Sequence, residues 1–216
     1  MYDLAAVVVG YLLGSIPFGY LVGRAYGIAD IRRHGSGNIG ATNAWRVAGP
    51  LAGVMVTVGD IGKGVLAVII ATQIGGQLMT LEYARLISGM AAILGHLFPV
   101  FFLFRGGKGV NTALGVMLTL LPVQTLIALG VFILTVALSK YISLGSILAA
   151  IALFVSVLIT SLADLADIHT VYVPTTLLLA LLIIFAHRSN IKRLAGGNEN
   201  RFSFSSKKQE GVGSHV

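Results

Sequence analysis

The stretch LAAVVVGYLLGSIPFGYLV, Leu4–Val22, carries no charged side chain and decides the fold class. Coiled as an α-helix it is long enough to cross a hydrocarbon core of about 30 Å, for which roughly 17 to 25 residues suffice. Gly14, Pro17 and Gly19 lie inside it. A membrane tolerates them because neighbouring helices approach glycine closely and satisfy the backbone groups that proline frees. The flank Met1-Tyr2-Asp3 is not a basic run, and no small-residue cleavage site follows. The segment is therefore expected to be a retained membrane helix, about Leu4 to Gly23, and not a signal peptide.

The rest of the chain is built alike. Of 216 residues, 56% are apolar and 11% charged, with a mean hydropathy of +0.90; a soluble domain carries about 25% charged residues. The expectation is an all-α integral membrane protein. One compact bundle should cover residues 1–196, followed by a flexible polar tail, 197–216, which contains Ser203, Ser205, Ser206, Lys207 and Lys208. Cysteine is absent, which excludes disulfides and thiolate chemistry. The formal charge of +7 is spread between apolar segments. That pattern speaks for membrane topology and against a nucleic-acid partner.

Outward from the first segment, the polar loop Asp30–Arg46 leads to a moderately apolar stretch ending near Gly59. The pair Asp60 and Lys63, on one helical face, comes next, then a spanning run from Val65 to about Met79. A helix from about Leu86 to Phe104 returns to a second polar loop, Arg105–Thr112. Pro122 interrupts the apolar run Ala113–Leu138, which predicts two helices joined at Leu121-Pro122. Ile147–Leu162 and Val171–Ala186 complete about seven spans. Nearly every lysine and arginine then falls on one face, and Asp3, Glu82, Asp164 and Asp167 fall on the other, with Arg85 the exception. The positive-inside rule makes the basic face cytoplasmic, with the N-terminus outside and the C-terminus inside.

Two loops on the basic face carry chemistry. In the first, Gly35, Gly37 and Gly40 let successive amides turn towards one point. Ser36, Asn38, Thr42 and Asn43 add donors, and Arg46 adds a fork suited to phosphate. A topology signal would need the arginines but not this interleaving of glycine, hydroxyl and amide. The second, Gly106-Gly107-Lys108-Gly109 with Asn111 and Thr112 behind it, lacks the glycine spacing of a Walker motif. A glycine-flanked lysine before a helix still offers free amides, a favourable dipole and a point charge to an anion. Ser143-Leu144-Gly145-Ser146 reads either as a helix cap or as further donors. His187 and Asn190, three apart, can face one site if the last helix continues, while Arg188, Lys192 and Arg193 read as headgroup and topology contacts. His96, inside an apolar helix, reads as a hydrogen-bonded structural residue. The histidines show no metal-ligand spacing and no HExxH pattern. Neither a metal nor a cofactor is expected.

Taken in order, several motifs resemble the bacterial acyl-phosphate:glycerol-3-phosphate acyltransferases over about residues 10–195. They are Gly14-Ser15-Ile16-Pro17-Phe18-Gly19, the Gly35–Arg46 loop, His96-Leu97-Phe98-Pro99, Arg105-Gly106-Gly107-Lys108-Gly109-Val110 and Ser143-Leu144-Gly145-Ser146. The resemblance implies a seven-helix protein of the bacterial plasma or inner membrane with its site facing the cytoplasm. It also implies the first acylation of phospholipid synthesis, in which a fatty acyl group passes from acyl phosphate to glycerol 3-phosphate, giving 1-acyl-glycerol 3-phosphate and phosphate. By resemblance Ser36, Arg46, Lys108, Ser143, His187 and Asn190 fall on the phosphate-binding catalytic site. Ser36, Arg46, Lys108, His187 and Asn190 are expected to be catalytic. Around the substrates are expected Gly35, Gly37, Asn38, Thr42, Asn43, Gly106, Gly107, Gly109, Asn111, Thr112, Ser143, Gly145 and Ser146. The implied partners are the two substrates and membrane lipid, with no nucleic acid and no obligate protein partner.

Two phosphorylated substrates held without metal call for amides together with Arg46 and Lys108. Acyl phosphate already has a good leaving group, so the main demand is to stabilise charge on the carbonyl and phosphate oxygens, for which Ser36 and the loop amides are the candidates. The chain offers no Ser-His-Asp set and no HxxxxD motif. A phosphate oxygen of a bound substrate is then the expected proton acceptor, with His187 and Asn190 orienting glycerol 3-phosphate. Composition alone also fits a small transporter of a phosphorylated anion, with broken helices near the bilayer midplane. The gathering of polar loops on one face favours the enzyme.

Overall fold

The computed structural model describes residues 2–165 and 169–203. Asp167, Ser205, Ser206, Lys207 and Lys208 lie outside the described residues. Among the described residues every regular element is helical. The opening apolar stretch forms two helices, α1 (Tyr2–Gly14) and α2 (Phe18–Ala25), where a single helix was expected. Pro17 is the cause, since it has no N–H to donate and its ring clashes with the preceding turn. At the break Lys63 Nζ donates to the carbonyl of Ile16 at 2.9 Å, which also accepts Phe18 N at 3.1 Å.

Helix α3 (Ala41–Ala48) ends at Gly49, whose φ of 92° turns the chain into α4 (Pro50–Ile74). Pro50 suits the first turn, where an N–H would have no helical partner. α4 continues unbroken through Asp60 and Lys63, so the division expected between Gly59 and Val65 does not occur. The two charges pair at 2.7 Å with side chains 3% and 2% exposed, and the pairing lets them stay inside an apolar helix. α5 (Leu81–Leu97) stops before Pro99, and a single 3₁₀ turn, Val100–Phe102, replaces its expected extension to Phe104. α6 (Val110–Leu120) and α7 (Pro122–Ser139) meet at Leu121, as Pro122 predicts. α8 (Ile142–Leu162) starts ahead of the apolar run expected from Ile147. α9 (Tyr172–Ala186) bends by 61° at His187 into α10 (Arg188–Ala195).

Among the described residues, five segments are long and apolar enough to cross a membrane: Tyr2–Ala25, α4, Leu81–Phe102, α7 and α8. The bent pair α9–α10 makes a sixth if it is one span, and α6, with 11 residues, is shorter. Small residues let the helices meet. A Cβ on Gly10 would collide with Ser88, and one on Gly14 with the backbone of Ala92, so α1 lies directly against α5. Ser88 Oγ donates to Ala6 O at 2.9 Å and lies 3.2 Å from Ala67 O, which ties α1, α4 and α5 together. Leu126, Ile133, Leu134 and Leu138 of α7 are exposed on the outside of the bundle, a surface suited to hydrocarbon. At one end the carboxylate of Asp3 accepts the amides of Gly76, Gln77 and Leu78. The other end collects the polar loops.

Forcing a side chain into backbone contact costs about 1–3 kcal/mol. Gly14→Val is therefore expected to lower the thermal unfolding midpoint in detergent, and Leu12→Val, on the exposed side of α1, to leave it near the parent value; differential scanning fluorimetry reads both.

Candidate active site

Four helices begin at one cavity of about 490 Å³. Its wall includes Ala41 and Thr42 of α3, Val110 and Asn111 of α6, Ile142 and Ser143 of α8, and Ser189 and Asn190 of α10. The opening amides of a helix lack intrahelical acceptors and carry the positive end of its dipole. Four such ends, with Arg46, Lys108 and Arg193 beside them, make a wall that favours anions.

The loop before α3 is held by one amide side chain. Asn43 is 1% exposed. Its Oδ1 accepts from Ser36 N at 2.7 Å and Ser36 Oγ at 3.2 Å, and its Nδ2 donates to Ile31 O, His34 O and Asn38 O at 2.8–3.2 Å. Asn38 Oδ1 takes Gly40 N at 2.8 Å, and Gly37 N bonds His34 O at 3.2 Å. Three loop amides expected to meet the substrate are thus occupied in shaping the loop. The first amides of α3 take their place at the cavity. Gly35 does not border the cavity; with φ at 59° it packs under Asn43, where a Cβ would overlap Oδ1. Ser36, Gly37, Asn38, Thr42, Asn43 and Arg46 do border it.

In the second loop Gly106 N donates to Leu97 O at 3.2 Å and Gly107 N to His96 O at 3.1 Å. Both glycines stand behind the cavity, because their faces are pressed against the end of α5. Gly109, at φ 79°, turns the chain into α6, and Lys108 Nζ donates to Asn190 Oδ1 at 2.5 Å. Thr112 is also behind the wall, fully buried, with its hydroxyl 3.1 Å from His96 Nδ1. Gly145 packs against Val136 and Phe132 of α7 and does not border the cavity. Its neighbours do: Ser143 Oγ donates to Glu199 Oε1 at 2.9 Å, and Ser146 Oγ back to Ile142 O at 2.9 Å.

Glu199 is the residue that sequence reasoning missed. Its side chain is 6% exposed and takes Asn190 Nδ2 and Arg193 Nε, each at 2.6 Å, as well as Ser143. Phe202 N then donates to Lys140 O at 2.7 Å, and the Phe202 ring lies 5.5 Å from Trp45. Packing therefore continues past Gly196, where composition placed the start of a tail. The available signal was a single acidic residue, Glu199, among Arg188, Lys192, Arg193 and Arg201. Arg193, read as a lipid contact, borders the cavity, as do Asp60 and His96.

Residues 4–197 match the family model described as glycerol-3-phosphate acyltransferase. The chain belongs to the glycerol-3-phosphate acyltransferase family. It is 48% identical to the glycerol-3-phosphate acyltransferase of Trichlorobacter lovleyi over 89% of this chain and 93% of that one. To that of Geotalea daltonii it is 43% identical, over 93% and 97%. Among solved structures it is similar to PlsY, an integral membrane glycerol 3-phosphate acyltransferase. The glycerol 3-phosphate form superposes with a TM-score of 0.83 at 38% identity, covering 94% of this chain and 96% of that one. The lysophosphatidic acid form gives 0.81 at 36% identity, covering 95% and 98%. The all-α integral membrane architecture expected from composition is the architecture of the family.

Within this acyltransferase fold the cavity's charges are tuned by their surroundings. Burial pushes the Lys108 ammonium down to about 8, opposed by Glu199 and reinforced by Arg193 and Arg46. Burial also lowers Arg46, although a guanidinium stays charged at any ordinary pH. Burial pushes the Glu199 carboxyl up, and hydrogen bonds from Asn190, Arg193 and Ser143 outweigh it and hold the group below its usual range. His187, one residue past α9, donates from Nδ1 to Ile183 O at 2.8 Å, which leaves Nε2 with the lone pair. Burial and the nearby Lys108 ammonium push this ring down to about 4.

Because Lys108 loses its proton as pH rises through about 8, inorganic phosphate should bind more weakly above that pH. The loss should be about tenfold to a hundredfold, in keeping with about 1.5–3 kcal/mol for a charge-assisted hydrogen bond. Lys108→Arg is expected to move the loss to more alkaline pH, as read by calorimetric titration with phosphate.

Proposed function

We propose that this acyltransferase takes its acyl group from acyl phosphate and delivers it to the C1 hydroxyl of glycerol 3-phosphate, releasing phosphate and 1-acyl-glycerol 3-phosphate. The observation that carries the reading is the convergence of four helix N-termini with Arg46, Lys108 and Arg193 on one cavity. Both reactants carry phosphate, and such a wall has donors for two anions. An apolar cleft of about 100 Å³ continues from the cavity between α6, α7, α8 and α9, lined by Met117, Ala128, Leu153 and Ile183 and sharing Leu114, Leu129 and Phe132 with it. It can receive the acyl chain without removing it from hydrocarbon.

In the transfer, the glycerol oxygen bonds to the acyl carbonyl carbon, the bond from that carbon to the phosphate oxygen breaks, and phosphate leaves with the electron pair. The hydroxyl proton passes to a phosphate oxygen. A phosphate monoester, with a second pKa of about 6, is the stronger base beside a His187 ring held near 4. His187 Nε2 serves to orient the hydroxyl. Arg46 and Lys108 stabilise charge on the carbonyl and phosphate oxygens, joined by Ser36 when its hydroxyl turns from the long 3.2 Å bond to Asn43 towards the substrate, and Asn190 joins Lys108 to Glu199. We place this single domain in the bacterial plasma or inner membrane with seven crossings, the N-terminus outside, and the C-terminus and site facing the cytoplasm. Support comes from the basic loops at the cavity's end and from Asp3 at the other. A soluble acceptor would enter from the cytoplasmic side.

Purified protein given palmitoyl phosphate should release phosphate and form lysophosphatidate only when glycerol 3-phosphate is present. Arg46→Ala should reduce turnover by about a hundredfold, the order of loss expected for one oxyanion donor. For His187→Gln the expected change is mainly a raised KM for glycerol 3-phosphate, with kcat reduced by about tenfold or less. A kcat lost at unchanged KM would instead make His187 the proton acceptor.

A further inference from the structure

A buried polar chain leads from the break in the first span to the lysine loop. Lys63 Nζ donates to Ile16 O at 2.9 Å and lies 2.7 Å from Asp60 Oδ1. Asp60 Oδ1 is 3.4 Å from His96 Nδ1, and Thr112 Oγ1 meets the same nitrogen at 3.1 Å. Asp60, Lys63, His96 and Thr112 are 0–5% exposed and come from α4, α5 and α6. The Nδ1 side of the imidazole thus meets groups from two helices, a hydroxyl of α6 in hydrogen-bond range and a carboxylate of α4 just beyond it. Its other nitrogen, Nε2, lies against Gly107, where a Cβ would overlap it. The backbone of His96 also accepts Gly107 N at 3.1 Å. Lys108 is the next residue.

We propose that Asp60 and His96 are positioning residues for acyl transfer: the His96 ring, locked by Asp60 and Thr112, sets the height of Gly107 and thereby places the Lys108 ammonium at the reacting phosphate. The proposal rests on the acyltransferase reading. A buried imidazole at the edge of the cavity keeps one orientation only where protein atoms hold its nitrogens. Thr112 supplies that hold through its hydroxyl, with the Asp60 carboxylate 3.4 Å from the same nitrogen, and Lys63 fixes the carboxylate in turn, bridging it at 2.7 Å to the carbonyl of Ile16 at the helix break. Gly107 must lack a side chain because the ring occupies that space. A network that only stabilised the bundle would have no reason to end beneath the residue preceding Lys108, and its loss would lower the amount of folded protein without changing turnover per folded molecule.

The test compares purified parent protein with His96→Asn, Thr112→Val, Lys108→Arg and the double variant His96→Asn/Lys108→Arg, using palmitoyl phosphate and glycerol 3-phosphate. His96→Asn keeps an amide near the Nδ1 position and removes the ring edge beneath Gly107; Thr112→Val removes only one hydrogen bond. The expected result for His96→Asn is a kcat reduced by about tenfold to a hundredfold, the scale of a misplaced catalytic group, with KM for glycerol 3-phosphate within about threefold of the parent. Thr112→Val should lower kcat by a few-fold in the same pattern. Unfolding midpoints should stay near the parent value, and the double variant should lose less than the product of the single losses, since both changes act through the same ammonium. Folded variants with kcat within about twofold of the parent would overturn the proposal, as would losses that multiply independently. Failure of both His96→Asn and Thr112→Val to fold would make the network a folding determinant and overturn it too. A parent protein that makes no lysophosphatidate overturns the acyltransferase reading and the proposal together, an outcome distinct from failure of the variants alone.

Discussion

Lipid offers no hydrogen-bond partner, and this constraint governs the rest of the structure. Polar groups that the chain carries into the bundle can be answered only by other parts of the same chain. The carbonyl released at Pro17 is met by Lys63, whose charge is met by Asp60. The hydroxyl of Ser88 finds carbonyls on two neighbouring helices. Where the partners come from different elements, as for Lys63 with Ile16 and Ser88 with Ala6 and Ala67, the satisfied group also fixes a helix against its neighbour. Polar residues in this protein therefore locate helices, and the apolar ones fill the space between them.

The same constraint explains how a cationic cavity can exist at the end of an apolar bundle. Four helix N-termini and three basic side chains repel one another, and the carboxylate of Glu199 is set among them, with Asp60 also bordering the cavity. Asn190 links that carboxylate to Lys108 by using both ends of its amide. Asn43 does similar work in the loop before α3, where one side chain closes the turn from both sides. One amide holds the loop before α3 and the other holds the Lys108 side chain, so the groups that line the cavity are already oriented. Preorganisation of this kind is what lets electrostatic stabilisation act at the moment of reaction without further rearrangement.

The adjoining cleft joins two solvents in one reaction. Its walls are hydrocarbon from four helices, while the cavity into which it opens is lined by amides and charges. A substrate with an apolar tail and an anionic head can lie across that junction with each part in its own medium. Ser146 stands at the border, contributing to both.

Much of this was legible in the sequence. Charge-free runs determine a membrane helix bundle because hydrocarbon excludes ionised groups whatever the neighbours are, and Pro122 divides α6 from α7 for a local steric reason. The glycine, hydroxyl and basic residues of the loops are the types that suit an anion, and residue type is read from sequence alone. The tertiary structure decided which of those residues reach the cavity. Gly35, Gly106, Gly107, Thr112 and Gly145 belong to the right motifs, yet close packing places them behind the wall. Glu199, in a segment that composition marks as a tail, folds back into the centre of the site. Asp60 and His96, separated by a whole helical hairpin, become neighbours beside Gly107 only when α4 and α5 pack. Local pattern determines what a segment is, because helix formation and bilayer transfer depend on adjacent residues. Which side chains meet depends on the packing of distant helices, and a linear pattern does not contain that information.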